Sequence, residues 1–271
     1  MMTMYDRKCV LRMKPRAALW FVFVSILVIF PVRMSADDFG MWYSVGADKK
    51  INKKWSLGGE TEFRTRNNTR TADRWSVGID AQYKLVKHLK ISGGYTFLYD
   101  NNIEKISYKE DGSINKWTPS YWGTRHRFNL VLTGDTKVGR CKFTLRERWQ
   151  YTWRPEAKDK KYDIDGQDTF SSAEEMDALL GPVKGKGRNV LRSRLKVDYD
   201  IPKCKVDPFV SAELFSAHHF NEKIRCMAGV GYTWKKQHAF TMALRYQDVG
   251  GDDGDMELNS WGVNLSYKFK F

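Results

Sequence analysis

The stretch from Leu258 to Phe271 constrains this chain more than any other. Trp261, Val263, Leu265, Tyr267, Phe269 and Phe271 alternate strictly with Ser260, Gly262, Asn264, Ser266, Lys268 and Lys270. A period of two held to the final residue describes a strand with one apolar and one polar face. A strand of about 10 residues or more is long enough to cross a bilayer when tilted, with its apolar row toward lipid and its polar row toward a lumen. The rival is an ordinary edge strand of a soluble sheet. A flat, half-apolar edge at a terminus invites aggregation unless the sheet closes, which favours a barrel.

The rest of the composition agrees. The chain has 271 residues, one domain's worth for a barrel. Its mean hydropathy is negative, yet aromatic residues reach 14%, with 10 Trp and 13 Tyr. Aromatic girdles at two membrane interfaces around a polar lumen account for that combination. No run of about 18 apolar residues follows Ala36, so helical spans are not expected.

The head of the chain reads as a targeting segment. Lys14 and Arg16 precede an apolar run from Ala17 to Phe30, and Pro31 to Ala36 supplies a cleavage region before Asp37. The domain plan is therefore a signal peptide over residues 1–36 and a barrel over 37–271. Translation starting at Met1 and at Met13 both remain open, since Lys14 and Arg16 complete the charged region either way. The formal charge of +14 loses Arg7, Lys8, Arg12, Lys14, Arg16 and Arg33, and one acid, Asp6, when the leader is cut. An exported chain makes nucleic acid a poor partner, so the remaining basicity is to be read by face. Cys141 and Cys204 fall on the rim carrying the short turns, and an exported location permits a disulfide between them. Cys226 lies in an outward row.

From Asp37 onward, alternating segments are separated by turns of unequal length, short and long in alternation. Short turns belong on the periplasmic side and long loops outside. Counted segment by segment there are eleven strands, which conflicts with the even numbers of bacterial single-chain barrels. Either the short first strand, Phe39 to Ala47, does not span, or one strand is missed. The expected fold is all-β, a transmembrane antiparallel barrel of about 10–12 strands. An Asp111-Gly112 turn predicts a hairpin within the loop 100–120. Residues 154–187 make the longest loop. Ser172 and Glu175 form a capping box for a short helix over Ala173 to Leu180, stopped by Gly181-Pro182.

Parity then assigns the candidate lumen. Arg64, Arg66, Arg74, Arg125, Arg127, Arg146, Arg148, Arg192, Arg194 and Arg245 all fall on the polar rows, with Glu60, Glu62 and Asp80 among the acids able to pair with them. Such rows suit an anion-selective channel or a site for an acidic ligand, because guanidinium meets carboxylate and phosphate bidentately. They equally suit a small barrel that fills its interior with arginine–carboxylate networks. Glu147 interrupts an outward row.

Other chemistry is thinly supported. Asp163, Asp165, Gln167 and Glu174 fall on calcium-loop positions, but Asp168 stands where the tight turn needs glycine. No metal or cofactor is expected. His126 has outward parity without a Ser–Asn arrangement beside it. His218 and His219, or His218 with Asp252, Asp253 and Asp255, make a hydrolytic site only by free choice. No catalytic residue is expected.

The opening DFGMWY, the KKINKKWSL that runs into EFRTRN, YKLVKHLK followed by GGY, HRF at 126–128 and the final YKFKF together resemble one known family. It is the outer-membrane barrel family catalogued as domain of unknown function twenty-four-ninety, and the resemblance covers nearly all of the chain after the leader. Its motifs are strand and turn patterns, so it implies an architecture and no assigned reaction. It also implies outer-membrane lipid as surroundings and the barrel-assembly machinery as a partner, read through the strand ending at Phe271. The expected role is passage or binding of a small, anion-leaning solute in the bacterial outer membrane. A non-conducting structural barrel and, more remotely, a lipid hydrolase are the alternatives.

Overall fold

The alternation of apolar and polar side chains builds the molecule directly, because each row needs its own face of a sheet. The computed structural model describes residues 38–165, 173–217, 220–250 and 259–271. The expected leader, Ser172 of the capping box, Gln167, His218, His219, Asp252, Asp253 and Asp255 lie outside these residues. In chain order the strands are β1 (Asp38–Lys50), β2 (Trp55–Arg66), β3 (Thr71–Val86), β4 (Leu89–Asn102), β5 (Lys105–Tyr108), β6 (Ile114–Thr118), β7 (Tyr121–Val138) and β8 (Cys141–Arg154). They continue with β9 (Ala157–Asp163), a single helical turn α1 (Ala173–Asp177), β10 (Leu180–Val183), β11 (Lys186–Tyr199), β12 (Val206–Ala217), β13 (Phe220–Trp234), β14 (His238–Val249) and β15 (Ser260–Lys270).

Eleven of these strands close into a barrel in the order β1-β15-β14-β13-β12-β11-β8-β7-β4-β3-β2. Neither remedy for the odd count was needed. The first strand is not a short stub but 13 residues long, and it pairs with β15 in parallel, from Asp38↔Ser260 to Asp48↔Lys270. Strands that alternate in direction around an odd-numbered ring must contain one parallel pair, and here it is the seam between the two ends of the chain. A glycine makes the seam close, since a Cβ on Gly262 would land on the Gly40 carbonyl oxygen; on the other side of β1, one on Gly40 would land on that of Thr65 in β2. Ser44 and Ser266 hydrogen-bond across the seam at 2.9 Å.

The outward rows carry large apolar side chains left uncovered among the described residues, such as Val77 at 59%, Ile79 at 66% and Met242 at 55% exposure. Aromatic pairs cluster toward the two ends of the barrel. Phe63–Trp75 (4.2 Å between centroids) and Tyr99–Trp122 (4.9 Å) lie toward the long-loop end, and Trp55–Tyr83 (4.9 Å) and Phe240–Tyr267 (5.0 Å) toward the short-turn end. Glu147, which interrupts an outward row, accepts a hydrogen bond from Ser193 Oγ at 2.6 Å on the neighbouring strand.

The long loops build a second sheet, β10-β9-β6-β5. The predicted hairpin is β5–β6, turning at Gly112 with φ of +85°, and its Asp111 carboxylate accepts both the backbone N–H and the hydroxyl of Ser113. Those bonds hold the exposed Asp111 carboxyl below the usual range. The loop 154–187 is not irregular, as it contains β9 and β10. Its helix ends at Asp177, three residues before the expected Leu180, because Leu180 opens β10 and pairs with Tyr162.

The short-turn rim is tied by backbone bonds from turn to turn. Lys84 N–H donates to Lys54 O (2.8 Å), Asp200 N–H to Arg140 O (2.9 Å), Lys270 N–H to Gln237 O (2.8 Å) and Phe271 N–H to Asp48 O (2.9 Å). Lys137 donates to Asp200 at 2.9 Å and holds that exposed carboxyl below the usual range. The expected Cys141–Cys204 bridge is absent: both are free thiols, as is Cys226. Cys141 is engaged in strand register with Val138 and Tyr199. Cys204 is held within its own turn by donating its N–H to Ile201 O at 3.1 Å.

Candidate functional site

The polar rows meet inside the barrel and form two linked clusters. Toward the long-loop end, Asp100 on β4 is clamped between Arg74 of β3 (2.5 and 3.0 Å) and Arg125 of β7 (3.0 Å), all deeply buried. Arg125 also donates to Asn102 Oδ1 at 2.7 Å. Arg66 reaches the Asn101 carbonyl at 2.7 Å and Asp73 at 3.4 Å. The second cluster centres on Glu213 of β12. Its carboxylate takes Arg146 of β8 (2.7 Å), Arg192 of β11 (3.0 Å) and Arg225 of β13 (3.6 Å), with Arg148 and Arg194 also in its field.

Trp42 of β1 joins this second cluster to the opposite wall. Arg64, Arg245 and Arg225 stack on its ring at 3.6, 3.8 and 4.7 Å, and Arg64 in turn binds Glu62 at 2.6 Å. Cations over a shielded indole face are attracted by its quadrupole, so one aromatic ring serves three strands. Phe215 does the same for Arg192, Lys223 and Arg225, at 4.5, 4.5 and 4.7 Å. Arg188 pairs with Glu222 beside them. Arg127 donates to Thr152 Oγ1 at 3.3 Å.

These side chains fill the waist. Arg64, Arg74, Arg127, Arg192 and Arg225, from five strands, share the lining of one cavity of about 20 Å³. Above it a cavity of about 60 Å³ opens among Trp42, Arg66, Asp100 and Arg245. Toward the short turns the lumen widens into a vestibule of about 460 Å³ lined mainly by lysines. Between vestibule and waist lies an acidic band. Gly58 lets Asp48 and Asp80 approach, since a Cβ there would sit 3.0 Å from one carboxylate and 2.6 Å from the other. Lys268, 3.4 Å from Asp48, neutralises part of the band, and Lys268 and Arg148 act on both Glu60 and Asp80.

All the arginines picked by parity, with Glu60, Glu62 and Asp80, stand on inward rows. Parity alone did not reveal which residues organise them. Arg225 stands beside the outward Cys226, on the inward parity that Glu213's other partners share. Asp100 and Asn102 belong to β4 and not to the expected loop 100–120, since Leu98, Asp100 and Asn102 continue its alternation. Trp42 was hidden on the polar row, where an indole is not expected. Of the calcium-spaced residues, Gln167 lies outside the described residues, Asp165 pairs with Lys109 at 2.8 Å, and Asp163 with Lys161 at 3.0 Å. Among the described residues no group of acids, histidines and cysteines could hold a metal.

The family model described as a protein of unknown function, DUF2490, matches residues 39–257. The chain belongs to the DUF2490 family. The match runs from the start of β1 almost to β15, so the family's pattern is the barrel itself with its loop sheet. No curated protein matches the sequence. Among solved structures, the β domain of the Bordetella autotransporter BrkA is similar at 13% identity and a TM-score of 0.46, covering 79% of each chain. The NanC porin is similar at 15% identity and a TM-score of 0.43, covering 85% of this chain and 95% of the porin.

Proposed function

We propose that this DUF2490 chain is a bacterial outer-membrane β-barrel whose lumen is closed at the waist, serving as a binding or structural barrel of the envelope and not as an open pore. The convergence of guanidiniums from five strands on a cavity of about 20 Å³ carries the reading. A cavity needs roughly 10–15 Å³ to hold one water molecule, so a hydrated solute does not pass. The acidic band below the arginines adds a second, electrostatic obstacle to an anion. Membrane residence is supported by the uncovered apolar rows between aromatic ends. A strand of about 12 residues, rising ~3.3 Å each and tilted by about 45°, spans roughly 28 Å, close to a hydrocarbon core. The short turns then face the periplasm and the loop sheet faces outward. Outer-membrane lipid and, through the strand ending at Phe271, the assembly machinery are the partners on this reading.

We assign no reaction. The Nδ1 of His126 lies 2.8 Å from the Tyr95 hydroxyl, and its ring packs against Phe97 and Trp153, which suits an outward aromatic belt. A second reading, an anion-leaning pore that opens by parting the waist, draws on the surplus of guanidiniums around Glu213. Planar-bilayer recording of the refolded protein under a salt gradient separates the two. Silence, with heat-modifiable migration showing a folded barrel, is the expected result. Steps with an anion-biased reversal potential, reduced by Arg125→Ala with Arg127→Ala, would establish the pore instead.

A further inference from the structure

The vestibule at the short-turn mouth is separate from the waist and has the room the waist lacks, about 460 Å³. Its lining includes Lys50, Lys54, Lys84, Lys90, Lys142 and Lys270, contributed by β1, the β1–β2 turn, β3, β4, β8 and β15. Few acids oppose them. Asp48 is engaged by Lys268 at 3.4 Å, and Asp135 stands 3.8 Å from Lys142 and 3.7 Å from His88. Phe271 lies at the same rim.

Like charges held in one concave space repel, and a concave wall focuses their field on whatever enters. These lysines do not splay apart freely, because the turns that bear them are fastened to their neighbours: Lys84 to Lys54 and Phe271 to Asp48 through backbone bonds. The ammonium groups remain mobile on long stems, which suits a ligand presenting several charges more than one of fixed planar geometry. The acidic band of Asp48, Glu60 and Asp80 forms the floor and turns an anion back from the lumen.

We propose that the vestibule is a binding site for a multivalent anion bearing two or more phosphate groups, entering from the short-turn side. The site is independent of whether the waist conducts, so bilayer recordings do not bear on it. The phosphates could belong to a soluble molecule or to anionic lipid headgroups lying against the rim, and both share this chemistry.

Calorimetric titration of the refolded barrel with inorganic tripolyphosphate tests it, first in zwitterionic detergent at low salt. Saturable binding is expected, weakening steeply as salt rises toward about 0.1 M and beyond, where the Debye length falls to roughly 10 Å. The triple variant Lys84→Gln, Lys90→Gln, Lys142→Gln should lose at least tenfold in affinity. The matching Lys→Arg triple should retain it. Removing the same charge from the opposite end, by Lys105→Gln, Lys158→Gln and Lys160→Gln, should leave binding unchanged. Repeating the titration in nanodiscs of phosphatidylglycerol separates the sources: retained binding points to a soluble anion, and competition by the lipid points to headgroups. No binding in detergent, or equal loss in both glutamine triples, would overturn the site.

Discussion

Glu213 is the residue on which the interior depends most. It is 5% exposed and stands against Arg146, Arg192 and Arg225 within 3.6 Å. A buried ion pair adds little net stability over an apolar pair, but removing one partner strands the other charge, at a cost of about 3–5 kcal/mol. Glu213→Gln is therefore expected to lower the unfolding free energy of the heat-modifiable form by an amount of that order, read as a fall in its urea midpoint. The double variant Glu213→Gln, Arg192→Gln should recover part of the loss, because one stranded guanidinium is gone. A midpoint equal to wild type in the single variant would show that the cluster is held by its stacking on Trp42 and Phe215 and not by the carboxylate. The parity of these residues was legible in the sequence. Their partnerships were not, since Arg146 and Glu213 lie 67 positions apart, and nothing in an alternating row says which cation faces which acid across a ring.

At the level of elements, the loop sheet is the least tightly integrated part. Among the described residues the two hairpins share two register pairs, Lys116↔Asp163 and Trp117↔Tyr162, with the Lys109–Asp165 pair and the bond from Asp165 N–H to Asn115 O beside them. The Trp117–Tyr162 stack, 5.2 Å between centroids, adds to that join. Aromatic pairs of this kind contribute roughly 0.5–1.5 kcal/mol beyond the area they cover. Trp117→Ala should thus speed proteolysis within the loops severalfold in folded barrels while leaving heat-modifiable migration of the protected core intact. Loss of the heat-modifiable form would instead make the loop sheet part of the barrel's own stability. The hairpin β5–β6 was readable from Asp111-Gly112, which specifies its turn locally. The strands β9 and β10 were not, because they are short, lack strict alternation and form only against each other and β6.

For the whole molecule, the feature that sets the architecture is the parallel seam. If β1 and β15 pair as described, Ser44→Cys with Ser266→Cys, in a background with Cys141, Cys204 and Cys226 replaced by serine, should oxidise to a disulfide in the folded barrel. Neighbouring strands hold paired Cα atoms within the roughly 4.4–6.8 Å that a disulfide accepts. Val45→Cys with Leu265→Cys, offset by two residues, should not cross-link efficiently; the reverse outcome would mean a different register. The sequence by itself determined the barrel strands, their inward and outward faces, the barrel class and the family, because each of these is written in a local period of two or in turn residues. It also supplied eleven segments. Only the tertiary structure decided that eleven is the closed number, that the waist is filled, that the cysteines stay apart and that lysines from six elements share one mouth. Those outcomes depend on which residues face one another across a closed ring, a relation set by strand order and stagger that no single segment contains.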